Sequence, residues 1–286
     1  LATATTGGTW SSSNTAVALI DATTGVVTGL KNGITKITYT NNNGSTMLGQ
    51  NQTTVTTTIG SANYDIGHVF STGGGGIASL GSVCGSVKAQ GVTGSSNPVG
   101  DAFDIDYVAH EMGHQFGCNH TFNSNSGSCS GNRNNNTAYE PLSGTTIMAY
   151  AGICNPDNIQ AHSDPYFHAA SLVEASKFIT TGSGTCYTTA TPTNPNPASV
   201  PSIQATYNIP FKTPFELTAP VATDPDHQSM TYCWEAWNLG NFGTAWATAY
   251  TAGPNFRTFL PDTGRTRVFP MVSRVVRNTA SPNYLG

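Results

Sequence analysis

The sequence predicts a mixed α/β chain of the α+β kind with β modules at its flanks. Three observations carry this. Short β-branched runs split by Gly and Asn-Gly turn signals fill residues 1–40. Two stretches between 104 and 180 repeat apolar residues at helical spacing. After a Pro-rich stretch, TPTNPNPASVP at 191–201, alternating runs return.

The first block, VALIDATTGVVTGLKNGITKITYT, reads as strands. Residues 41–49 read as a polar junction, and the first half of 50–71 has moderate helical spacing. TGGGGIASLGSVCGSVKAQGV offers Gly-punctuated strands. Its Gly73–Gly76 run lacks the Lys-Ser/Thr of a phosphate loop. Next, Ile105, Val108, Ala109, Met112 and Phe116 share one helix face, with Asp104 or Asp106 expected to cap it. Residues 121–146 read as a long functional or cross-linked loop. A second helix is expected over 163–180, with Asp164 as N-cap and Pro165 as its first helical residue. The runs FELTA, MTYCWEAW and TRVFPMV suggest a small β-sandwich. Four blocks follow: 1–40, 41–189, a linker at 190–200, and 201–286.

Composition narrows the function. The 286 residues are 37% hydrophobic and only 9% charged, against a globular norm of about 25% charged. A net charge of -4 argues against a nucleic-acid surface. No apolar run approaches the roughly 20 residues of a membrane span. Six Cys on a Lys-poor chain suggest an oxidising, extracellular setting. The opening LATATTGGTW has neither a basic start nor an apolar core, and reads as the start of a mature fragment of something longer.

The chemistry concentrates in His110-Glu111-Met112-Gly113-His114-Gln115-Phe116-Gly117-Cys118-Asn119-His120. His110 and His114 are four residues apart and share a helix face. Two imidazoles so placed can hold one Zn²⁺ at about 2.0–2.1 Å. Were the helix to continue, residue 120 would lie about 15 Å from residue 110 along its axis. Gly117 lets the chain leave the helix and bring His120 back as third ligand. Glu111, beside His110, can reach a metal-activated water as general base.

This HExxHxxGxxH pattern resembles the metzincin zinc metallopeptidases, most closely the bacterial reprolysin-like type. The resemblance spans roughly 50–180. It implies a metzincin catalytic domain over 41–189, a protein or peptide substrate, and a Met-turn at Thr145–Gly152 with Met148 beneath the imidazoles. Tyr150, two residues on, would stabilise the oxyanion. An extended peptide would pair with a sheet edge within 76–92. The same resemblance implies a Cys84–Cys186 disulfide. Separately, a Cys129–Cys154 bridge would pin the long loop, although six Cys allow 15 pairings. Cys118 reads as a buried small hydrophobe. TWSSSNTAVALIDATTGVVTGLKNGITKITY resembles half of a bacterial Ig-like (group 2) domain, or else supplies added strands. TDPDHQSMTYCW resembles PKD or cadherin-like Ig modules, here incomplete.

Asp104, Asp106 and Asp164, or Asp224 and Asp226, could hold Ca²⁺, with capping and turn chemistry as the simpler account. His162 and His168 read as polar residues at a helix start, or else as hydrogen-bonding supports to the metal site. The expected protein is a secreted zinc endopeptidase. The rival is an extracellular adhesion or binding protein with a vestigial or structural metal site, which would have no need of Glu111.

Overall fold

The computed structural model describes residues 9–40, 43–188, 196–210, 213–241 and 253–277. By their internal contacts they fall into two units, Leu1–Asn119 with Ser171–Tyr187, and His120–Ala170 with Thr188–Gly286.

The first unit begins with two antiparallel pairs. β1 (Thr9–Ser12) pairs with β4 (Ile37–Thr40), and β2 (Ala18–Ile20) pairs with β3 (Val27–Gly29). Trp10 of β1 shares a buried cluster with Met47 and Val92, against which Ile20, Ile37, Val69 and Ile77 pack. Residues 9–40 thus help build the core of this unit.

Helix α1 (Gly44–Ile59) begins inside the segment expected to be a junction. The Asn43 side chain accepts from the Thr46 N–H at 3.0 Å and caps the helix. Met47 is its one buried residue. Thr-rich sequence is a poor helix former on its own. Tertiary bonds hold α1 instead: Asn51 donates to the Ala89 carbonyl, and Gln52 accepts from the Ala89 N–H.

The sheet beneath α1 has strand order β5 (Val69–Ser71), β7 (Gly91–Gly94), β6 (Gly75–Ala78). β7 is buried along its length and lies parallel to β5 and antiparallel to β6. Within this sheet β6 is an edge strand.

A helical run follows: α2 (Asp101–Phe103), a π-helical segment over Asp104–Ala109, and α3 (His110–Gln115). Neither Asp104 nor Asp106 caps it. The run starts behind Gly100, whose carbonyl accepts from the Phe103 and Asp104 N–H groups, so both carboxylates lie inside the helix. Helix α4 (Ala169–Thr180) starts six residues later than the expected 163. Pro165 is not in its first turn. Asp164 is spent on the Thr145 carbonyl through its N–H and on Arg257 at 3.5 Å. The start of α4 is capped instead by Glu235, which accepts from the Ala169 N–H, and by His168 Nδ1, which accepts from the Ala170 N–H. Phe178 of α4 sits against Gly81, Gly117 and Gly184. A disulfide joins Cys84 to Cys186.

In the second unit the segment after His120 is built from turns. Phe122 bridges Glu140, and Phe122, Ala149 and the Cys129–Cys154 disulfide form a buried cluster with Tyr150 on its flank. Beyond the linker, β8 (Phe215–Thr218) pairs antiparallel with β9 (Thr266–Phe269), ahead of the short helix α5 (Val272–Arg277). Two isolated bridges, Ser199–Thr223 and Tyr232–Asp262, add to this. The two packed sheets expected of an Ig-like sandwich are not found among the described residues. Most of the expected linker, 189–195, and the last residues from 278 on lie outside them.

Candidate metal centre

His110 and His114 stand one turn apart on α3, ring centroids 4.8 Å apart and edge to face. The helix ends in a tight turn: the Phe116 N–H bonds the Met112 carbonyl, and the Gly117 N–H bonds that of His114. Gly117 has φ 89°, a conformation that costs a residue with a Cβ on the order of 1–2 kcal/mol. The chain therefore turns off the helix axis there. Glu174 fixes the outgoing segment by accepting from the Asn119 N–H at 2.8 Å and its side-chain amide at 2.7 Å. The segment 110–120 brings one ring nitrogen each of His110, His114 and His120 within 4.8 Å of one another.

The second nitrogens decide what the first can do. His114 Nδ1 lies 2.7 Å from the Cys118 carbonyl, and His120 Nδ1 lies 2.7 Å from the Asn132 carbonyl. A carbonyl only accepts, so each Nδ1 carries the proton, and in the neutral ring each Nε2 is then left with a lone pair. Backbone-oriented imidazoles of this tautomer are the usual form of a metal-ligating histidine. Burial holds the His114 pKa below its ordinary value, partly offset by the bond to the Cys118 carbonyl, which keeps the ring neutral. The residues present therefore fit a zinc ion.

Glu111 is 7% exposed, and burial pushes its carboxyl up to about 8. Its Oε2 makes no hydrogen bond among the described residues. The carboxylate lies against the edge strand. A Cβ on Gly76 would fall 2.3 Å from Glu111 Oε1 and 2.5 Å from its Cγ. A cleft of about 210 Å³ opens beside β6, with Ser45, Ser71, Gly76 and Val92 in its wall.

In the second unit, Met148 is fully buried. Its carbonyl accepts from the Thr121 N–H, and the Ala149 N–H closes a turn on the Thr146 carbonyl. The Tyr150 ring lies edge-on to the His120 ring at 4.6 Å. Cys118 is buried and donates to the Ser171 carbonyl, and burial together with the charge of Glu174 pushes its thiol up to about 12. His168 is fully buried in a stack with Tyr139 and Trp237, and so is more than a polar helix start.

The acidic residues considered for calcium are not brought together. Among the described residues the three histidines form the only group of three or more His, Cys, Asp or Glu close enough to share an ion. Asp164 pairs with Arg257, the Asp224 side chain accepts from the Asp226 N–H in a turn, and the Asp226 carboxylate holds Asn196.

Two features escaped the sequence. Glu140 is a fully buried carboxylate surrounded by threonines. His68 bridges Gln115 Oε1 and Thr93 Oγ1, both at 2.7 Å, which ties the end of α3 to β7. The abundance of Thr around a lone Glu was the one available signal for the first.

The family model described as metallo-peptidase family M12B, reprolysin-like, matches residues 9–121. The match takes in the strands of residues 9–40, α1, the sheet and the whole histidine segment. It supports a metallopeptidase. No curated protein matches the chain.

Proposed function

We propose that this chain is a secreted zinc-dependent endopeptidase of metzincin type, with His110, His114 and His120 as metal ligands and Glu111 as general base. The observation that carries the reading is the fixed Nδ1–H tautomer of His114 and His120 within a trio of converging nitrogens. The reprolysin-like match over 9–121 supports it. The same match, with Trp10 packed on Met47 and Val92, favours residues 9–40 as part of the catalytic body rather than a separate Ig-like module.

When bound, zinc supplies Lewis acidity to the attacking water and to the scissile carbonyl. Glu111 takes the water's proton and returns it to the leaving amine. Burial by itself pushes its carboxyl up to about 8, and a cation held by the adjacent histidines would favour the charged form that accepts the proton; its Oε2 makes no hydrogen bond among the described residues. The Tyr150 hydroxyl donates to the developing oxyanion. Gly117 supplies the bend before His120. Met148, in the turn over Thr146–Ala149, serves as the Met-turn methionine. The edge of β6 pairs with the extended peptide. The two disulfides support an oxidising, extracellular setting. A purely structural metal site has no use for a buried glutamate beside its ligands, which disfavours the adhesion reading.

The test is Glu111→Ala. Zinc stoichiometry by mass spectrometry should stay at wild type, while hydrolysis of a casein or peptide-library substrate disappears. Wild-type activity should vanish on chelation and return with zinc. Retained turnover in the Glu111→Ala protein would remove the general base and, with it, the proposed mechanism.

A further inference from the structure

We propose that Glu140 is a positioning residue for the reaction, setting the turn that presents Tyr150. This rests on the peptidase reading above. Glu140 is wholly buried, as are Thr121, Thr145 and Thr146 around it. Its Oε1 accepts from the hydroxyls of Thr121 at 2.6 Å and Thr146 at 2.5 Å. Its Oε2 accepts from the backbone N–H groups of Thr145 at 2.7 Å and Thr146 at 3.1 Å. The Thr145 hydroxyl at 3.3 Å and the Thr258 hydroxyl at 3.5 Å complete the set.

These donors are not scattered. Thr121 directly follows the third histidine, and Thr145 and Thr146 open the turn that leads to Tyr150. Backbone bonds close the same ring: Thr121 N–H to the Met148 carbonyl, Glu140 N–H to the Thr121 carbonyl, and Tyr150 N–H to the Ser143 carbonyl. One carboxylate therefore cross-links the residue after His120 to the segment bearing Tyr150, and sets the 4.6 Å between the His120 and Tyr150 rings. A buried carboxylate needs such donors to offset its desolvation. Fold stability alone could have been met by an apolar side chain; the multiple bonds to one turn fix its geometry instead.

The experiment is a double-mutant cycle on the zinc-loaded full chain with a quenched peptide. The variants are Glu140→Ala, Glu140→Gln, Tyr150→Phe and the two combinations. Tyr150→Phe should lower kcat by on the order of 10², as loss of an oxyanion donor does. Glu140→Ala should lower kcat by about tenfold or more through misplacement of the tyrosine, with zinc content and KM unchanged. Glu140→Gln should restore most of the rate, its amide oxygen facing the two N–H groups and its amide nitrogen the two hydroxyls. In the Tyr150→Phe background, Glu140→Ala should cost less than about threefold, because coupled residues are not additive. An equal factor with and without Tyr150 would overturn the proposal. If Glu140→Ala does not fold, Thr146→Val takes its place, with a smaller kcat loss that likewise vanishes in the Tyr150→Phe background and, if it does not vanish, refutes the coupling. Wild-type turnover in Tyr150→Phe, with Glu111→Ala dead, would remove this proposal and leave the peptidase. An active Glu111→Ala would remove the peptidase mechanism itself.

Discussion

Gly76 separates the edge strand from Glu111, the proposed general base, by a single missing carbon. Replacing it with Ala would place a Cβ 2.3 Å from Glu111 Oε1, 2.5 Å from Cγ and 2.6 Å from Cδ. Ordinary contact begins near 3.4 Å, so the glutamate must retreat by roughly 1 Å. The retreat involves Cγ as well as the carboxylate tip, so a simple swing of the flexible end does not relieve it. Gly76 has no positive φ, which leaves the collision as the whole cost. A displacement of about 1 Å at a catalytic group costs on the order of 10² in rate, or about 2.7 kcal/mol. The expected result for Gly76→Ala is a kcat about a hundredfold lower with zinc content unchanged. KM should move little, since the backbone N–H and C=O of β6 remain. Gly49→Ala on α1 is the control: a Cβ there meets nothing within 4 Å and lies outside the cleft wall, and turnover should stay at wild type. Steady-state kinetics on a quenched peptide, beside metal analysis and thermal melts, reads all of this. A Gly76→Ala protein with kcat within threefold of wild type would refute the reasoning, as would a loss matched by loss of zinc.

Two further outcomes are expected. The Cys84–Cys186 and Cys129–Cys154 bridges close loops with separations of 102 and 25 residues, for which chain entropy gives about 4.7 and about 3.5 kcal/mol, so urea melts should show Cys186→Ser as the more destabilising change. His68, whose pKa burial lowers, binds a proton more readily unfolded than folded. Stability contributed by its neutral form is thus full above about pH 6.5 and falls as pH drops through that value, with a slope of at most about 1.4 kcal/mol per pH unit. Melts of the zinc-loaded protein between pH 7.5 and 5 should show the fall, and His68→Gln should flatten it; an unchanged profile in the variant would place the titration elsewhere.

The candidate metal centre was legible because it is local. His110, His114, Gly117 and His120 lie within one helix and the turn after it, so spacing and a single positive φ carry the information. The start of α4 was not legible, because its cap comes from Glu235, far along the chain. Asp164 and Pro165 look like a helix start, but Asp164 is held elsewhere by Arg257. The beginning of α1 was hidden in a polar string whose one informative residue, Met47, matters through its contact with Trp10 and Val92. Glu140 shows the same limit for function. Its partners come from residues 121, 145, 146 and 258, and no spacing rule joins them. The β-sandwich was read from alternation and from one short resemblance, and alternation is a pattern that a single two-stranded ladder also satisfies.

The two cystine loops are nested, with 129–154 lying wholly inside 84–186. A hydrolase that clips its own chain anywhere between those outer cysteines would leave both pieces tethered. Gel bands run without reductant would hide such nicks, and only thiol treatment would release the fragments. Apparent homogeneity of a purified preparation therefore says little about whether the backbone is still continuous.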